Sequence, residues 1–307
     1  MKNIDMIGIG ALLIDRIASV KYFPSIDGET FVDRVEIRPG GSAANFAVAC
    51  SKLGLKAGFI GLVGDDSEGS FLLEDLSKEG VNICGVTKSR EFPTGQVYIA
   101  LDKDGKRMMF AFSGAANNLS NKDIDPNYIA SAKFIHIADL KNISPLDAAA
   151  KTAQAVETKV SLNPGALIAV QGYEEIKTLL SNTNVFISSR GELNQIFSTE
   201  NVEYALRKLL RAGPEMAAIT LGSEGCIVAD SKGNSHRVSA FNTTPVDTTG
   251  AGDAFCAGLL TSLVEGEGLL EAAKFANAVA ALKVTKLGAR SLPSRSEVED
   301  FLLRQKK

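Results

Sequence analysis

The chain has 307 residues, 45% of them hydrophobic and 22% charged, which is enough for a large core in one big α/β domain or two smaller ones. Its net charge of −3 and pI near 5.6, with no block of Lys and Arg, remove the usual electrostatic basis for nucleic-acid binding and favour small-molecule partners. No segment has the pattern of a signal sequence or a membrane span, so we expect a cytoplasmic protein with no membrane partner.

Short apolar runs alternate with helix-like segments along the chain. The runs, of the kind that fills a sheet covered on both faces, are 4–9, 57–63, 134–137, 159–162, 185–187 and 216–221. The segments with apolar residues at three- and four-residue spacing are 42–53, 67–79, 145–157, 173–180, 202–211, 254–264 and 269–284. This alternation predicts a doubly wound α/β fold, with a mostly parallel central sheet flanked by helices, and residues 1–307 as one domain.

The first glycine pattern, Gly8-Ile-Gly10, resembles the start of a dinucleotide-binding fingerprint. Position 13 is Leu where the third glycine belongs, and the segment that follows is not helix-like, so NAD is not expected. The sequence contains no GxxxxGK[ST] pattern either. A bound phosphate would therefore be held by something other than a P-loop.

Two segments, 14–35 and 94–112, are richer in β-formers and turn residues than in helix formers. In the second, a strand, a turn at Asp104-Gly105 and a returning strand are expected. We interpret the two segments as a small β-rich lid made by two insertions, about 13–37 and 93–113. Such a lid either excludes water from a reaction site or forms a dimer surface.

Four cysteines are widely separated: Cys50, Cys84, Cys226 and Cys256. Because they show no CxxC pair and no zinc-ligand spacing, we expect buried free thiols in a reducing compartment. His136 and His236 lack Cys or acidic neighbours at ligand spacing, so they are expected to be a strand residue and a surface residue, not metal ligands.

The glycine pair Gly40-Gly41 opens the helix-like segment 42–53. Paired glycines let the backbone approach a ligand closely, and Asn45, one turn into the helix, can face the same ligand as donor and acceptor. The alternative is a flexible turn with a solvated Asn. These residues alone do not decide between the two.

The most informative run is Pro245-Val-Asp247-Thr-Thr249-Gly-Ala-Gly-Asp253, which precedes the helix-like segment 254–264. Its glycines permit a tight turn with N–H groups turned outward, so an acidic side chain lies beside an anion-binding helix N-terminus. A carboxylate there can deprotonate a hydroxyl that attacks a phosphoryl group. Ordinary helix capping is the alternative, but capping needs one such residue and not the whole run.

Taken together, the glycine pair with Asn45 and the run ending at Asp253 resemble the two signatures of the ribokinase-like (PfkB) family of carbohydrate and nucleoside kinases. The resemblance covers essentially the whole chain and includes four further runs: Leu162-Asn-Pro164, Thr220-Leu-Gly-Ser-Glu-Gly225, Phe275-Ala-Asn277 and Gly288-Ala289. It implies a ribokinase-like fold, ATP and Mg²⁺ as cofactors, and a homodimer formed through the lid.

The resemblance also implies roles on the nucleotide side. Asp253 would take the proton of the acceptor hydroxyl, while the N–H groups of Gly250, Ala251 and Gly252 would form an anion hole for the transferred phosphoryl group. The residues implied to lie along ATP are Ser189, Thr220, Gly222, Gly225 and Asn277.

On the substrate side, the resemblance implies that Asp15, Gly41 and Asn45 hold hydroxyls, since a carboxylate can accept two hydrogen bonds from neighbouring hydroxyls. The expected lid contacts are Gln96, Tyr98 and Phe110. Asp139 is a further candidate, with an exposed loop aspartate as the alternative.

Two ion sites follow from the same resemblance. Glu192 would bind Mg²⁺ through water. A potassium-like ion would lie in a region formed by five residues: Asp247, Thr249, Lys283, Gly288 and Ser291.

Three positions depart from the family pattern. The family's Asn-x-x-Glu element is Ser189-Arg-Gly-Glu192 here, and a serine can still orient a metal-bound water. True ribokinases carry a Lys after the glycine pair and an Asn two residues before the acidic one, where this chain has Ser42 and Leu13. These differences count against ribose itself, and Leu13 suits a less hydroxylated sugar, a sugar acid or the base of a nucleoside.

We therefore expect an ATP- and Mg²⁺-dependent kinase that phosphorylates a hydroxyl, with a primary one favoured, of a sugar or sugar-like molecule. A nucleoside kinase on the same scaffold is one alternative. A ligand-binding or regulatory protein that has kept the fold and lost catalysis is another.

Overall fold

The computed structural model describes residues 2–305, in which strands and helices alternate. The strands are β1 (Ile4–Ile9), β2 (Leu13–Val20), β3 (Val32–Gly40), β4 (Ala57–Gly64), β5 (Asn82–Ser89), β6 (Gly95–Leu101), β7 (Arg107–Phe112), β8 (Ala132–Ala138), β9 (Lys159–Asn163), β10 (Val185–Ser189), β11 (Met216–Thr220), β12 (Cys226–Asp230) and β13 (Ser235–Val238). The α-helices are α1 (Ser42–Lys52), α2 (Ser67–Lys78), α3 (Pro126–Ala130), α4 (Ser144–Ala155), α5 (Gly165–Ala169), α6 (Tyr173–Ser181), α7 (Arg190–Phe197), α8 (Val202–Ala212), α9 (Ala251–Val264), α10 (Leu269–Val284) and α11 (Arg295–Gln305). Short 3₁₀ helices cover Gly114–Asn118, Asn121–Asp123 and Gly222–Glu224.

The central sheet has nine strands in the order β13-β12-β11-β10-β9-β8-β1-β4-β5. All neighbours from β11 to β5 are parallel, and β12 and β13 extend one edge in antiparallel fashion. The apolar runs specify this arrangement because a strand covered on both faces has no polar side: all eight residues of β4 are buried. The predicted doubly wound, mostly parallel α/β fold is confirmed.

Helices cover both faces of the sheet, and alternate residues of one strand enter two different cores. Met6 belongs to the core that contains residues of α1, α2, α9 and α10, whereas its neighbour Ile7 belongs to the core that contains residues of α4, α6, α7 and α8. Helix α9 lies between α1 and α10, and nine of its residues are buried. Among residues 2–305, no helix is both long and apolar enough to cross a bilayer.

The predicted segments fall on observed elements, but the structure adds several that their patterns did not reveal. The strands β5 and β13 form the two edges of the sheet and β12 is a short strand beside β13, while the helices α3, α5, α7 and α11 are short or largely exposed, so the apolar periodicity of these elements is weak. Cys84 lies exposed on the edge strand β5, so the expectation of four buried thiols was wrong for this residue.

The two predicted insertions form a separate four-stranded sheet in the order β3-β2-β6-β7, the lid. Residues that are paired across neighbouring strands point to the same face of the lid, and successive residues along a strand point to opposite faces. The strand pairing therefore assigns each side chain to one of two faces. The inner face carries Asp15, Arg38, Val97, Ile99, Arg107 and Met109. The outer face carries Val35, Ile37, Gln96, Tyr98, Met108, Phe110 and Phe112.

Candidate active site

Polar side chains collect at the carboxyl ends of the parallel strands. Asp139 follows β8, and the last residues of β9, β10 and β11 are Asn163, Ser189 and Thr220. Because parallel strands all present their carboxyl ends to one edge, these residues come together although they are far apart in sequence. That edge is where α/β proteins of this type bind ligands.

Helix α9 begins at the same edge, within the glycine-rich run. Gly250 is its N-cap residue, with φ of 78°, and a Cβ at this position would come 2.7 Å from the carbonyl oxygen of Ala289. Both the left-handed backbone and the close approach require glycine here. A Cβ on Gly252 would meet no atom within 4 Å, so its backbone faces open space. Ala251 N–H donates to the carbonyl of Thr248 at 3.1 Å, so one of the three predicted anion-hole donors is engaged in the turn.

Asp253 lies in the first turn of α9, and the first turn of α1 holds both of its oxygens. Ser42 Oγ donates to Oδ1 at 2.5 Å, and Asn45 Nδ2 donates to Oδ2 at 2.9 Å. Burial raises the pKa of the Asp253 carboxyl, while the bonds from Ser42 and Asn45 and the charge of Arg290 act to lower it. The carboxylate is therefore fixed in direction, and sequence reasoning did not identify Ser42 as one of the residues that fix it.

Arg290 is the principal residue that sequence reasoning missed. Its Nε donates to Asn45 Oδ1 at 3.0 Å, and its guanidinium is paired with Asp75 of α2. Asn45 thus uses both ends of its amide inside the protein, with one end on Asp253 and the other on Arg290. The only local signal in the sequence was an arginine directly after Gly288-Ala289.

Asp15 lies on the inner face of the lid and is partly buried. Burial raises the pKa of its carboxyl to about 6, and the nearby positive charges of Arg290 and Arg38 limit that rise. A Cβ on Gly40 would come 2.6 Å from Asp15 Oδ2, so the glycine makes room for this carboxylate. Gly41, the N-cap of α1 with φ of 107°, approaches the carbonyl of Ala11 equally closely.

A cavity of about 220 Å³ lies in front of Asp253 and is also lined by Asp139 and Glu192. Asp139 accepts a hydrogen bond from Leu167 N–H at 2.9 Å, so it is not the exposed loop residue considered as the alternative. Burial, together with the charges of Glu192 and Asp253, raises the pKa of Asp139 to about 6, while the hydrogen bond from Leu167 acts to lower it. Three carboxylates around one small cavity favour a cation there.

Ser189 and Glu192 line this cavity and also cap helix α7. Ser189 Oγ accepts from Glu192 N–H at 3.2 Å, and Glu192 Oε2 accepts from Ser189 N–H at 2.8 Å. This reciprocal capping box explains why the pair Ser-x-x-Glu is compatible with the start of the helix. Among residues 2–305, no three His, Cys, Asp or Glu side chains are placed to bind one metal directly.

A second cavity, of about 550 Å³, adjoins the first, because Thr220 and Gly252 line both. Its walls are largely apolar, with Phe241, Phe255 and Val284 among them, as suits a flat heterocycle. The predicted nucleotide contacts that line it are Thr220, Gly222, Gly225 and Asn277. The side-chain amide of Asn277 donates to the carbonyls of Val238 and Ser239, so it also holds the end of β13 against α10.

The five residues predicted around a potassium-like ion do lie together. Asp247 Oδ1 accepts from Thr249 N–H at 2.9 Å, and Asp247 Oδ2 accepts from Gly288 N–H at 2.8 Å. Lys283 is fully buried, and its Nζ donates to the backbone carbonyl of Asp247 at 2.8 Å. Ser291 Oγ donates to the carbonyl of Leu287. Burial lowers the pKa of the Lys283 ammonium, and the charges of Asp247 and Asp253 oppose this effect.

The structure does not bring three predicted lid contacts to Asp15. Asp15 is paired with Val97, and Gln96 and Tyr98 are the neighbours of Val97 on either side, so their side chains point to the outer face. Phe110 is paired with Tyr98 and points the same way. The inner face presents Val97 and Met109 instead, and Arg107 Nη1 reaches Thr249 Oγ1 at 3.3 Å.

Comparison with known proteins identifies the family. The model of the pfkB family of carbohydrate kinases matches residues 3–295. An uncharacterized sugar kinase of Archaeoglobus fulgidus is 34% identical over 80% of this chain and 98% of its own length. An ATP-dependent ribose-1-phosphate kinase of Halopiger xanaduensis is 32% identical over 92% of this chain and 93% of its own length. The chain belongs to the pfkB family of carbohydrate kinases.

Solved structures agree with this assignment. Arabidopsis thaliana ribokinase, complexed with ribose and ATP, superimposes with a TM-score of 0.87 at 25% identity, covering 97% of this chain and 98% of that one. The nucleoside kinase of Methanocaldococcus jannaschii superimposes with a TM-score of 0.88 at 26% identity, covering 99% of both chains. The ribokinase-like fold predicted from the sequence is confirmed.

Proposed function

We propose that the protein transfers the γ-phosphoryl group of ATP to a hydroxyl, preferably primary, of a sugar or sugar-like substrate. The whole chain acts as one kinase domain with the lid over its active site. Support comes from the family membership, from the ribokinase complexed with ATP among its structural neighbours, and from the name of the ATP-dependent relative in Halopiger.

The observation that carries the proposal is the place of Asp253 at the junction of the two cavities. Thr220 and Gly252 line both, so a nucleotide in the larger cavity can extend its phosphates toward the Asp253 carboxylate in the smaller one. Ser42 and Asn45 aim this carboxylate, which is within the first turn of α9. Asp253 accepts the proton of the acceptor hydroxyl, and the backbone N–H groups of Gly250 and Gly252 stabilise negative charge on the transferred group, since that of Ala251 is engaged in the turn.

The substrate side follows from Asp15 and its neighbours. Asp15 accepts hydrogen bonds from substrate hydroxyls, and the backbone at Gly41 and the Asn45 amide complete the polar side of the cleft. Leu13 at the base of the lid, and Ser42 bonded to Asp253, leave fewer polar groups for ribose than the lysine and asparagine of true ribokinases. A less hydroxylated sugar, a sugar acid or the base of a nucleoside therefore fits better than ribose.

The small cavity suits Mg²⁺ held through water. Asp139, Glu192 and Asp253 line it, yet no three ligands converge on one point in the described residues, and Mg²⁺ usually keeps several waters and binds one or two carboxylates plus phosphate. When bound, the ion would neutralise phosphate charge. Glu192 would orient a water of its shell, with Asp139 as the second acidic neighbour.

A coupled ADP-release screen tests the proposal. Fructose, ribose, ribose 1-phosphate, gluconate and 2-keto-3-deoxygluconate would be compared with adenosine, inosine and cytidine at saturating ATP and Mg²⁺, with the Asp253→Asn variant as control. We expect turnover with at least one sugar-like acceptor and none with the variant. Turnover confined to nucleosides would favour the nucleoside kinase, and none with any acceptor would favour a protein that has lost catalysis.

We also propose that the lid forms a homodimer through its outer face. Apolar side chains dominate that face, and Phe110 is 63% exposed, whereas monomeric proteins seldom leave a contiguous patch of this kind open to water. Light scattering after gel filtration measures the molar mass directly. A mass corresponding to 32.5 kDa at micromolar concentration would contradict the dimer.

A further inference from the structure

A fully buried lysine lies behind the loop from Asp247 to Asp253, called the anion-hole loop because it carries the proposed anion hole. Lys283, in the last turn of α10, donates from Nζ to the backbone carbonyls of Asp247 at 2.8 Å and Lys286 at 3.4 Å. Within residues 2–305 this ammonium forms no ion pair with a carboxylate, so its partners are carbonyl oxygens. A buried charge that is satisfied by main-chain oxygens alone is costly, which suggests that the charge itself is used.

The carbonyl that accepts the shorter bond from Lys283 belongs to Asp247, the residue that organises the loop. The Asp247 carboxylate binds Thr249 N–H on one side and Gly288 N–H on the other, so it ties the start of the loop to the segment that follows α10. Lys283 adds a third tie through the Asp247 carbonyl. From Asp247 the chain proceeds directly to Gly250 and Asp253, so the position of the loop governs both the proposed anion hole and the base.

The monovalent ion that the family resemblance implies for this region does not fit these contacts. An ion here would need backbone carbonyl oxygens, and the Lys283 ammonium already binds the one from Asp247. Ser291 Oγ is likewise turned to the carbonyl of Leu287. Two cations that share the Asp247 carbonyl oxygen would repel each other strongly in a buried site.

We propose that the Lys283 ammonium serves as the fixed cation of this loop, so that the kinase needs no potassium. Lys283 is a positioning residue: it holds the Asp247 carbonyl and keeps a positive charge behind the loop, without touching the substrate. Shortening it to alanine leaves both carbonyls without a donor and opens a space next to Asp247. A monovalent cation from solution can then bind there.

The activity test rests on the proposed function and compares salts. Turnover would be measured in potassium, ammonium and tetramethylammonium chloride at equal ionic strength, for the wild type, Lys283→Ala and the control Lys274→Ala, an exposed lysine on the same helix. We expect the wild type and the control to change less than about twofold between salts. Lys283→Ala should lose about tenfold or more in tetramethylammonium and regain most of it in potassium or ammonium, given what one donor at an anion hole contributes.

A second readout does not depend on catalysis. An ion that binds only the folded state raises its melting temperature, so potassium should raise that of Lys283→Ala by about 3 °C relative to tetramethylammonium, and leave the wild type and the control unchanged. A wild type that requires potassium for turnover, or is stabilised by it, overturns the proposal, even if the variant cannot be purified. A variant that is fully active without potassium overturns it as well. If no acceptor is phosphorylated in any salt, the proposed function fails and the melting temperatures alone decide the role of Lys283.

Discussion

The anion-hole loop and the lid, which together would close the proposed active site, are built on opposite principles. The loop from Asp247 to Asp253 is tied at both ends, and the carboxylate of Asp253 is held between α1 and α9. The lid is an exposed four-stranded sheet that contacts this loop through a side-chain hydrogen bond from Arg107 to Thr249. Under the proposed function, the residues that carry the chemistry thus lie in the core, whereas those that choose the substrate lie on a surface that can vary.

The largest effect is expected for Asp253→Asn. The amide cannot accept the hydroxyl proton, so kcat should fall by about 10²- to 10⁴-fold, the usual contribution of a general base. Because the nucleotide cavity is lined by other residues, ATP affinity measured by calorimetry should stay within about threefold of the wild type. Near-normal turnover would show that the general base is not Asp253, and that the loop does not differ from the lid in carrying the chemistry.

A smaller effect, about tenfold to 100-fold in kcat/KM, is expected for Arg290→Met, because Asn45 loses the partner that orients it toward Asp253. The pH profile separates this from simple damage. Arg290 lowers the pKa of Asp253, so its removal should raise that pKa and move the acidic limb of kcat/KM to higher pH. The exposed Arg207→Met, on the surface of α8, serves as control. If activity fell while the acidic limb of the kcat/KM profile stayed at the same pH, the role of Arg290 would be structural only.

The sequence was sufficient for the loop but not for its partners. Glycines and a helix start are local signals, so the sequence alone could place the run to Asp253 at a helix N-terminus. The bonds to Ser42 and Asn45 join residues 211 and 208 positions away, and Arg290 is 245 positions from Asn45. Contacts of that range depend on the packing of α1 against α9, which no local pattern reveals.

The lid shows a different limit. Its strands were predicted from composition, but a side chain's face depends on strand parity, and a shift of one residue exchanges the two faces. Gln96, Tyr98 and Phe110 were therefore expected at the substrate and lie on the outer face. Asp15 was placed by the family resemblance, and the structure pairs it with Arg38, two residues before the glycine pair.

Asp139→Asn tests the electrostatics beside the loop. The pKa of Asp139 is about 6 in the folded protein against 3.8 for the free group, so its burial favours the folded state at low pH and this contribution is lost as pH rises through 6. At pH 8 the charge should cost about 1–3 kcal/mol, which the asparagine avoids while still accepting from Leu167 N–H. Urea unfolding should show the variant to be more stable at pH 8, with a smaller difference at pH 5. Equal stability at both pH values would contradict the raised pKa.

The smallest effects are expected in the lid, where the two faces can be tested against each other. Val97→Ser on the inner face removes apolar area beside Asp15 and should raise the acceptor KM by about threefold to tenfold, with kcat nearly unchanged. Tyr98→Ser, the adjacent residue on the outer face, should leave KM within about twofold and instead weaken self-association, because its side chain points away from Asp15. Initial rates and sedimentation velocity on both variants give the comparison. A KM effect for Tyr98→Ser that persists in the monomeric fraction would mean that the outer face reaches the substrate, and that the lid closes with a register other than the one described.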